Sequence, residues 1–271
     1  MRHLVKFLIN SCKRSRIITD RHGIKYYDNR MSALEQHIVK KNEFDEYTIL
    51  CNLLQHFDVN KNLAIDVGAN VGLMSLPLAT CFKKVIAFEI DPKNAEKFRK
   101  NIKLNKNLDI ELVEIGVGDC KGVAELSINR SIDGDGLINT GLSSLAKNNR
   151  QHSKKLLNVN VTTLDLIAKD SGWNKVDLIK VDTEGFELNV FKGCSRILKE
   201  DRPIIFYEAS LAIDVRIGED HRLKCYEYLQ RFGYLHYAML DSQFTEISFD
   251  ELKDLHADIN LIAVPLNINL S

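Results

Sequence analysis

Four clusters of acids and glycines, each placed where an apolar run ends, carry the chemistry that this chain of 271 residues could perform. The first is Asp66-Val67-Gly68-Ala69-Asn70-Val71-Gly72, at the junction of a hydrophobic strand and a helix. Glycines there let a ligand approach the backbone, and a helix start offers free amides to negative charge. A dinucleotide fingerprint needs glycines at 68, 70 and 73, but the chain has Gly68, Asn70 and Leu73. Asp66 would repel a pyrophosphate, whereas it suits a ligand carrying an ammonium and a sulfonium. Asp66, Gly68, Asn70 and Gly72 therefore read as a loop for S-adenosylmethionine. The plainer alternative is that any tight strand-to-helix turn uses glycine for steric reasons.

The second cluster is Glu89-Ile90-Asp91-Pro92, which begins 23 residues after Asp66. That spacing suits an acid at the tip of the next strand accepting from ribose hydroxyls. Asp91 and Pro92 read as a helix N-cap and first helical residue, and Asn105 as a helix C-cap rather than a ligand contact. The third, Ile115-Gly116-Val117-Gly118-Asp119, could flank an adenine ring through Gly116, Val117 and Asp119, or could simply be a turn. The fourth runs Lys180-Val181-Asp182-Thr183-Glu184-Gly185-Phe186-Glu187. Acids so close need a cation among them, supplied by a sulfonium, a metal or Lys180; otherwise they cap and charge a helix start. Asp182 is assigned to the cofactor, Glu184 to the acceptor side and Glu187 to the first turn of a helix. If the acceptor is a hydroxyl, a base is needed, and Asp182, Glu184 and Glu208 are the carboxylates at strand ends. His221 and His236 are the alternatives. No ligand spacing diagnostic of a metal is present.

These clusters need a frame that brings strand ends together. Short β-branched runs at 63–67, 84–89, 110–115, 176–181, 203–208, 234–240 and 260–264 alternate with helical stretches at 73–81, 92–104, 188–198 and 222–232. The pattern predicts an α/β fold, a Rossmann-like, doubly wound, mostly parallel seven-stranded sheet. Residues 1–60 read as a basic arm and helical cap, the helices lying over 33–57, and residues 61–271 as the main domain. An insertion over about 122–163 holds two strand-like stretches, and its polar loop 131–151 is either a substrate cover or an ordinary surface loop. Pro77 predicts a kink or an early end in the helix that follows the glycine loop.

Together the motifs resemble the FkbM family of methyltransferases. The resemblance rests on Asp66 to Gly72 with the preceding Ile65, Phe88 to Pro92, Asn101 to Asn105, Thr163-Leu164-Asp165, Ile179 to Glu187, Lys192-Gly193, and Arg202-Pro203 leading to Glu208. It implies a class I fold, S-adenosylmethionine as methyl donor, and O-methylation of a sugar, lipid or polyketide-type product.

Composition narrows the partners. Lys and Arg number 37, as do Asp and Glu, so no global field draws in nucleic acid. The first thirty residues are the exception, with Arg2, Lys6, Lys13, Arg14, Arg16, Arg21, Lys25 and Arg30 against Asp20 and Asp28. That arm reads as solvated, or as a weak peripheral contact with an anionic membrane. The expected partner is a small-molecule or glycan hydroxyl acceptor. The apolar stretch 4–9 is short and lacks a cleavage site, so a cytoplasmic location is expected. Six cysteines without a Cys-x-x-Cys pair read as reduced, mostly buried thiols. A dehydrogenase is disfavoured by its missing fingerprint; a non-catalytic cofactor-binding module and a nucleic-acid methyltransferase are the other rivals.

Overall fold

The computed structural model describes residues 15–28, 32–42, 45–128, 130, 137–139, 141–146, 155–240 and 243–266. The strand-like runs pair into one eight-stranded sheet. Its parallel half is β3 (Leu63–Val67), β4 (Lys84–Phe88), β5 (Ile110–Val113), β9 (Leu178–Val181) and β10 (Ile204–Ala209). The other half is antiparallel: β11 (Tyr234–Leu240), β12 (Gln243–Glu246) and β13 (Ile259–Pro265). The order is β12-β11-β13-β10-β9-β3-β4-β5, with β13 running against both β10 and β11. All seven expected strands are present, and the eighth, β12, extends the sheet by a hairpin from β11. Between β5 and β9 a smaller sheet forms in the order β6-β8-β7, from β6 (Gly116–Val117), β7 (Gly122–Ile128) and β8 (Lys155–Thr162).

Every residue of β3 is buried, as a strand covered on both faces must be. Alternate side chains serve opposite layers. Ile65 and Val67 face a core shared with α5 (Leu164–Ser171), α6 (Glu187–Lys192), α7 (Ser195–Glu200) and α9 (His221–Gln230). Ala64 faces the other layer with Leu50 and Leu53 of α2 (Asp45–His56) and Leu78 of α3 (Ser75–Cys81). The remaining helices are α1 (Ala33–Lys41), α4 (Pro92–Leu104), α8 (Leu211–Ile217) and α10 (Phe249–Asp254). No helix among the described residues is long and apolar enough to cross a membrane.

Three sequence expectations change locally. Pro77 neither kinks nor ends α3: it is the third residue of a helix that starts at Ser75, in the first turn where no intrahelical partner awaits its missing N–H. The stretch expected as one helix over 188–198 is split into α6 and α7 at Gly193, where a Cβ would lie 1.9 Å from the Gly118 carbonyl oxygen. Close approach of two backbones decides the break there. Of the five described cysteines, only Cys194 and Cys225 are buried, and all five are free thiols.

Residues 1–14 and 29–31 of the expected arm lie outside the described residues. Residues 16–28 form an antiparallel hairpin of β1 (Arg16–Thr19) and β2 (Lys25–Asp28), which buries Ile24 and Tyr26. Asp20 accepts from the amides of His22 and Ile24 in the turn, which Gly23 closes at φ 83°. Two asparagines of α4 hold it: Asn101 accepts from the Tyr27 amide at 2.7 Å, and Asn105 accepts from the Lys25 amide and donates to the Lys25 carbonyl. Asn105 is the C-cap, as expected, and its side chain is spent on the hairpin.

Candidate functional site

A cavity of about 300 Å³ opens at the carboxyl ends of β3, β4 and β9. The glycine loop forms one wall through Gly68, Ala69 and Asn70. The amides of Gly68 and Ala69 both donate to the Phe88 carbonyl, which turns the chain sharply away from β3. Gly68 has φ 83°, and a Cβ there would fall 1.8 Å from the Asp182 carbonyl oxygen. Gly72 lies off the wall: at φ 87°, a Cβ would meet the Phe98 ring at 2.1 Å, so its role is to let α4 pack. Asp66 is also off the wall. It is fully buried beneath the loop, where its Oδ2 accepts from Ser75 Oγ at 2.5 Å and its Oδ1 has no hydrogen-bond donor among the described residues. Burial raises its pKa against the pull of Lys180, whose Nζ lies 3.8 Å away.

Glu89 stands where a ribose-binding acid was expected. Its Oε2 accepts from the Asn70 amide at 2.7 Å and its Oε1 from the Asp91 amide at 2.6 Å, and the Ile90 amide adds a third donor, which leaves the carboxyl acceptor capacity for about one more. Burial pushes this carboxyl up to about 8, against the downward pull of those amides. Gly116 and Val117 line the cavity with Ile90, Leu126, Leu145 and Phe186, which makes an apolar slot. Asp119 does not join them: it is exposed, outside the lining, and touches Cys120, as expected if residues 118–119 serve as a turn. Asp91 caps α4 as expected, and it also accepts on both oxygens from Arg130 Nη2 at 2.7 Å and on one from Ser143, tying the insertion to the helix start.

The acidic turn is more elaborate than helix capping. The N-cap position of α6 is Phe186, without a side-chain cap, and neither Asp182 nor Thr183 fills that role. Glu187, fully buried, reaches back to accept from the Thr183 amide and hydroxyl and from the Gly185 amide, and it pairs with His221 Nε2 at 2.6 Å. Burial alone would raise the Glu187 carboxyl, but the hydrogen bond and charge of His221 hold it below its ordinary value. This clamp holds Glu184 and Gly185 at φ 57° and 97°. A glutamate in the left-handed region is strained, and such strain persists where the surroundings over-determine it. Ser144 Oγ donates to the Thr183 and Glu184 carbonyls, and Arg216 Nη2 donates to Glu184 Oε2 at 2.5 Å.

Asp182 and Glu184 line the cavity; Glu208 stands behind them, with one oxygen of each carboxylate within 4.8 Å of the others. The cation the sequence demanded is Lys180, with Nζ 3.0 Å from Asp182. Burial, then the Asp182 charge, pushes Glu184 up to about 7 despite Arg216. Burial, then Asp182 and Glu184, pushes Glu208 up to about 9. His221 is spent on Glu187. His236 is buried, accepts from or donates to Tyr207, and stacks on Tyr226 away from the cavity, so neither histidine is placed as the base.

These shifts have a sign for stability. Glu89, Glu184 and Glu208 have folded pKa values of about 8, 7 and 9, above the ordinary 4.5. Their stabilising contribution is fully present below pH 4.5 and is lost as pH rises through 7 to 9. The thermal midpoint of the ligand-free protein is expected to fall by at least roughly 5 °C across that window, and by less in Glu208→Gln. A flat melting profile, or one unaltered by the substitution, would contradict this electrostatic picture.

Residues 66–236, more than half of the chain, match the family model described as the methyltransferase FkbM domain. The chain belongs to the FkbM methyltransferase family. Methyltransferase sdnD of Sordaria araneosa is 26% identical over 197 residues, covering 63% of this chain and 72% of that protein. Methyltransferase 1 of Beauveria bassiana (strain ARSEF 2860) is 23% identical over 179 residues, covering 62% and 70%. The crystal structure of methyltransferase FkbM from Methylobacillus flagellatus KT aligns at TM-score 0.48 and 17% identity, over 75% of this chain and 43% of that one. This FkbM-family protein is a methyltransferase on a Rossmann-like sheet, and family membership makes S-adenosylmethionine its cofactor.

Sequence reasoning missed several residues of the FkbM-family site. Glu46 from α2 and Asn139, Gly141, Ser143, Ser144 and Leu145 from the insertion all line the cavity. The last five belong to the loop 131–151, read from the sequence as either a substrate cover or an ordinary surface loop; residues 131–136, 140 and 147–151 of that loop lie outside the described residues. Arg216 sits beyond the last motif, and no local pattern flagged it.

Proposed function

We propose that this FkbM-family methyltransferase acts on a hydroxyl of a small molecule or glycan, with Glu184 as the base that accepts the hydroxyl proton. The observation that carries this reading is a single wall residue, Glu184, whose carboxyl is pushed up to about 7 while its backbone is clamped from both sides. A hydroxyl is a poor nucleophile, and a base serves best when its pKa lies near the working pH. Glu208 is less suited, being off the wall and pushed up to about 9; Asp182 is engaged with Lys180.

The site fits the donor. S-adenosylmethionine supplies a methyl group on a sulfonium whose positive charge disappears on transfer. The Glu89 carboxyl has room for a ribose hydroxyl, the slot around Val117 and Phe186 suits a flat heterocycle, and Asp182 offers a negative charge to the cationic end. The buried Asp66 carboxylate keeps Lys180 in place from below, so that Lys180 does not leave Asp182 uncompensated. The protein's main contribution is then positioning: the clamp around residues 183–187 fixes where the base stands, and the insertion excludes water. The proposal includes a cytoplasmic setting and no nucleic-acid substrate, in keeping with the zero net charge.

Calorimetry with S-adenosylmethionine and its demethylated product tests the donor half. Glu89→Gln is expected to weaken uptake about tenfold or more, since it replaces one of the oxygens that accept from the Asn70 and Asp91 amides with an amide nitrogen that only donates. Absence of heat with the unsubstituted protein would end the proposal. A screen of hydroxyl-bearing glycans and natural products with labelled donor tests the other half.

A further inference from the structure

Asp66 of β3 and Lys180 of β9 are register partners on adjacent parallel strands, and Asp182 follows just past the end of β9. The Lys180 ammonium therefore stands between two carboxylates. Its Nζ is hydrogen-bonded to Asp182 Oδ2 at 3.0 Å and lies 3.8 Å from Asp66 Oδ1, beyond hydrogen-bond reach. The two acids differ in access: the Asp182 side chain is 41% exposed and lines the cavity, whereas Asp66 has an exposure of 0%. Asp66 Oδ1 is a buried acceptor without a donor among the described residues, which is a costly setting for a carboxylate oxygen. Lys180 stays a cation. Burial alone would discharge it, but Asp182 and then Asp66 hold its pKa above the ordinary value. One flexible cation thus serves an acceptor at the cavity surface, with a second acceptor below that no donor reaches. A movement of about 1 Å would bring the ammonium from 3.8 Å to charge-assisted hydrogen-bond distance of Asp66.

We propose that the ammonium of S-adenosylmethionine displaces Lys180 from Asp182 onto Asp66, so that Asp66 sets the affinity for the amino-acid end of the donor without touching it. The exchange rests on Asp182 taking the cationic end of the donor. A ligand in the cavity can reach Asp182 but not Asp66. Two ammonium groups on one carboxylate repel each other, and the repulsion is relieved when the lysine retreats to the sealed acid. Before uptake one cation serves two carboxylates; after it, each carboxylate has a cation of its own. The orphaned Oδ1 gains its missing donor in the same step. Asp66 is in this sense a positioning residue, and its place under the glycine loop, off the cavity wall, is what the role requires.

The test is calorimetry of the full chain with S-adenosylmethionine and with methylthioadenosine, which keeps the nucleoside and lacks the amino-acid end. The ratio of the two dissociation constants measures the preference for that end. Asp66→Asn leaves Lys180 only Asp182, and is expected to weaken S-adenosylmethionine at least about tenfold while methylthioadenosine stays within about twofold. Adding Lys180→Met to Asp66→Asn removes the competing cation, and the preference is expected to return to within about threefold of the unsubstituted protein. A merely structural role would weaken both ligands alike, and the second substitution would deepen the loss. Thermal melts check folding; should Asp66→Asn alone not fold, the double variant, which buries no unpaired charge, is compared directly with the unsubstituted protein and is expected to keep the preference. Asp182→Asn separates the two readings, since it is expected to abolish the preference. If it does not, Asp182 does not take the cationic end, and the exchange falls with that assignment. If it does while Asp66→Asn keeps the preference, the assignment stands and the exchange alone is overturned. Loss of the preference in the double variant would also overturn it, by making Lys180 a direct holder of the donor's carboxylate.

Discussion

Gly68→Ala is expected to abolish donor uptake, raising the dissociation constant for S-adenosylmethionine more than about a hundredfold and lowering stability by about 2–4 kcal/mol. Two costs combine at this residue. The backbone stands at φ 83°, and the added carbon would sit 1.8 Å from the Asp182 carbonyl oxygen, which is backbone and cannot swing aside. Either the loop or the end of β9 must move, and the two sides of the cavity then lose their register. Gly23→Ala isolates the first cost, because Gly23 has the same φ of 83° with nothing within 4 Å. It should cost only about 1 kcal/mol and leave donor uptake unchanged. Calorimetry and thermal melts on both variants decide the matter; normal uptake by Gly68→Ala would show that the close approach of loop and strand is not required.

Glu184→Gln is expected to lower kcat by about 10²–10⁴-fold while leaving donor affinity within about threefold of the original. The same substitution should remove the rising limb of kcat/KM near pH 7 that a base pushed up to about 7 imposes. Arg216→Ala supplies the converse: Arg216 pulls the Glu184 carboxyl down, so its loss moves the limb to higher pH without eliminating activity. Retained turnover in Glu184→Gln with a flat comparison to the parent profile would transfer the base role to another group.

The parts of this protein that could be read from sequence are those encoded locally. Asp66 to Gly72 and Glu89 announce themselves because a strand end, a turn and a helix start lie within a few residues of one another. The same locality misled in two respects. Gly72 and Asp66 share a motif with Gly68, yet one serves the packing of Phe98 and the other lies under the loop; a motif records proximity in sequence and not which side faces the cavity. Asp119 likewise sits two residues after Val117 and points elsewhere. What was illegible depends on distant pairing. Arg216 meets Glu184 across 32 residues and Ser144 meets the Glu184 carbonyl across 40, and neither partner has a spacing rule to betray it. The hairpin over 16–28 was hidden for another reason: its basic residues drew attention, while the alternation of Ile24 and Tyr26 after the Gly23 turn, the true signal, is only four residues long.

The large sheet ends on β12 at one margin and β5 at the other, each four residues long. Gln243, Thr245 and Glu246 are exposed on the first, and Glu111 on the second, where it pairs with Lys84. Short margins dotted with charge offer a poor template to an incoming strand, so neither flank invites a second copy to lengthen the ladder.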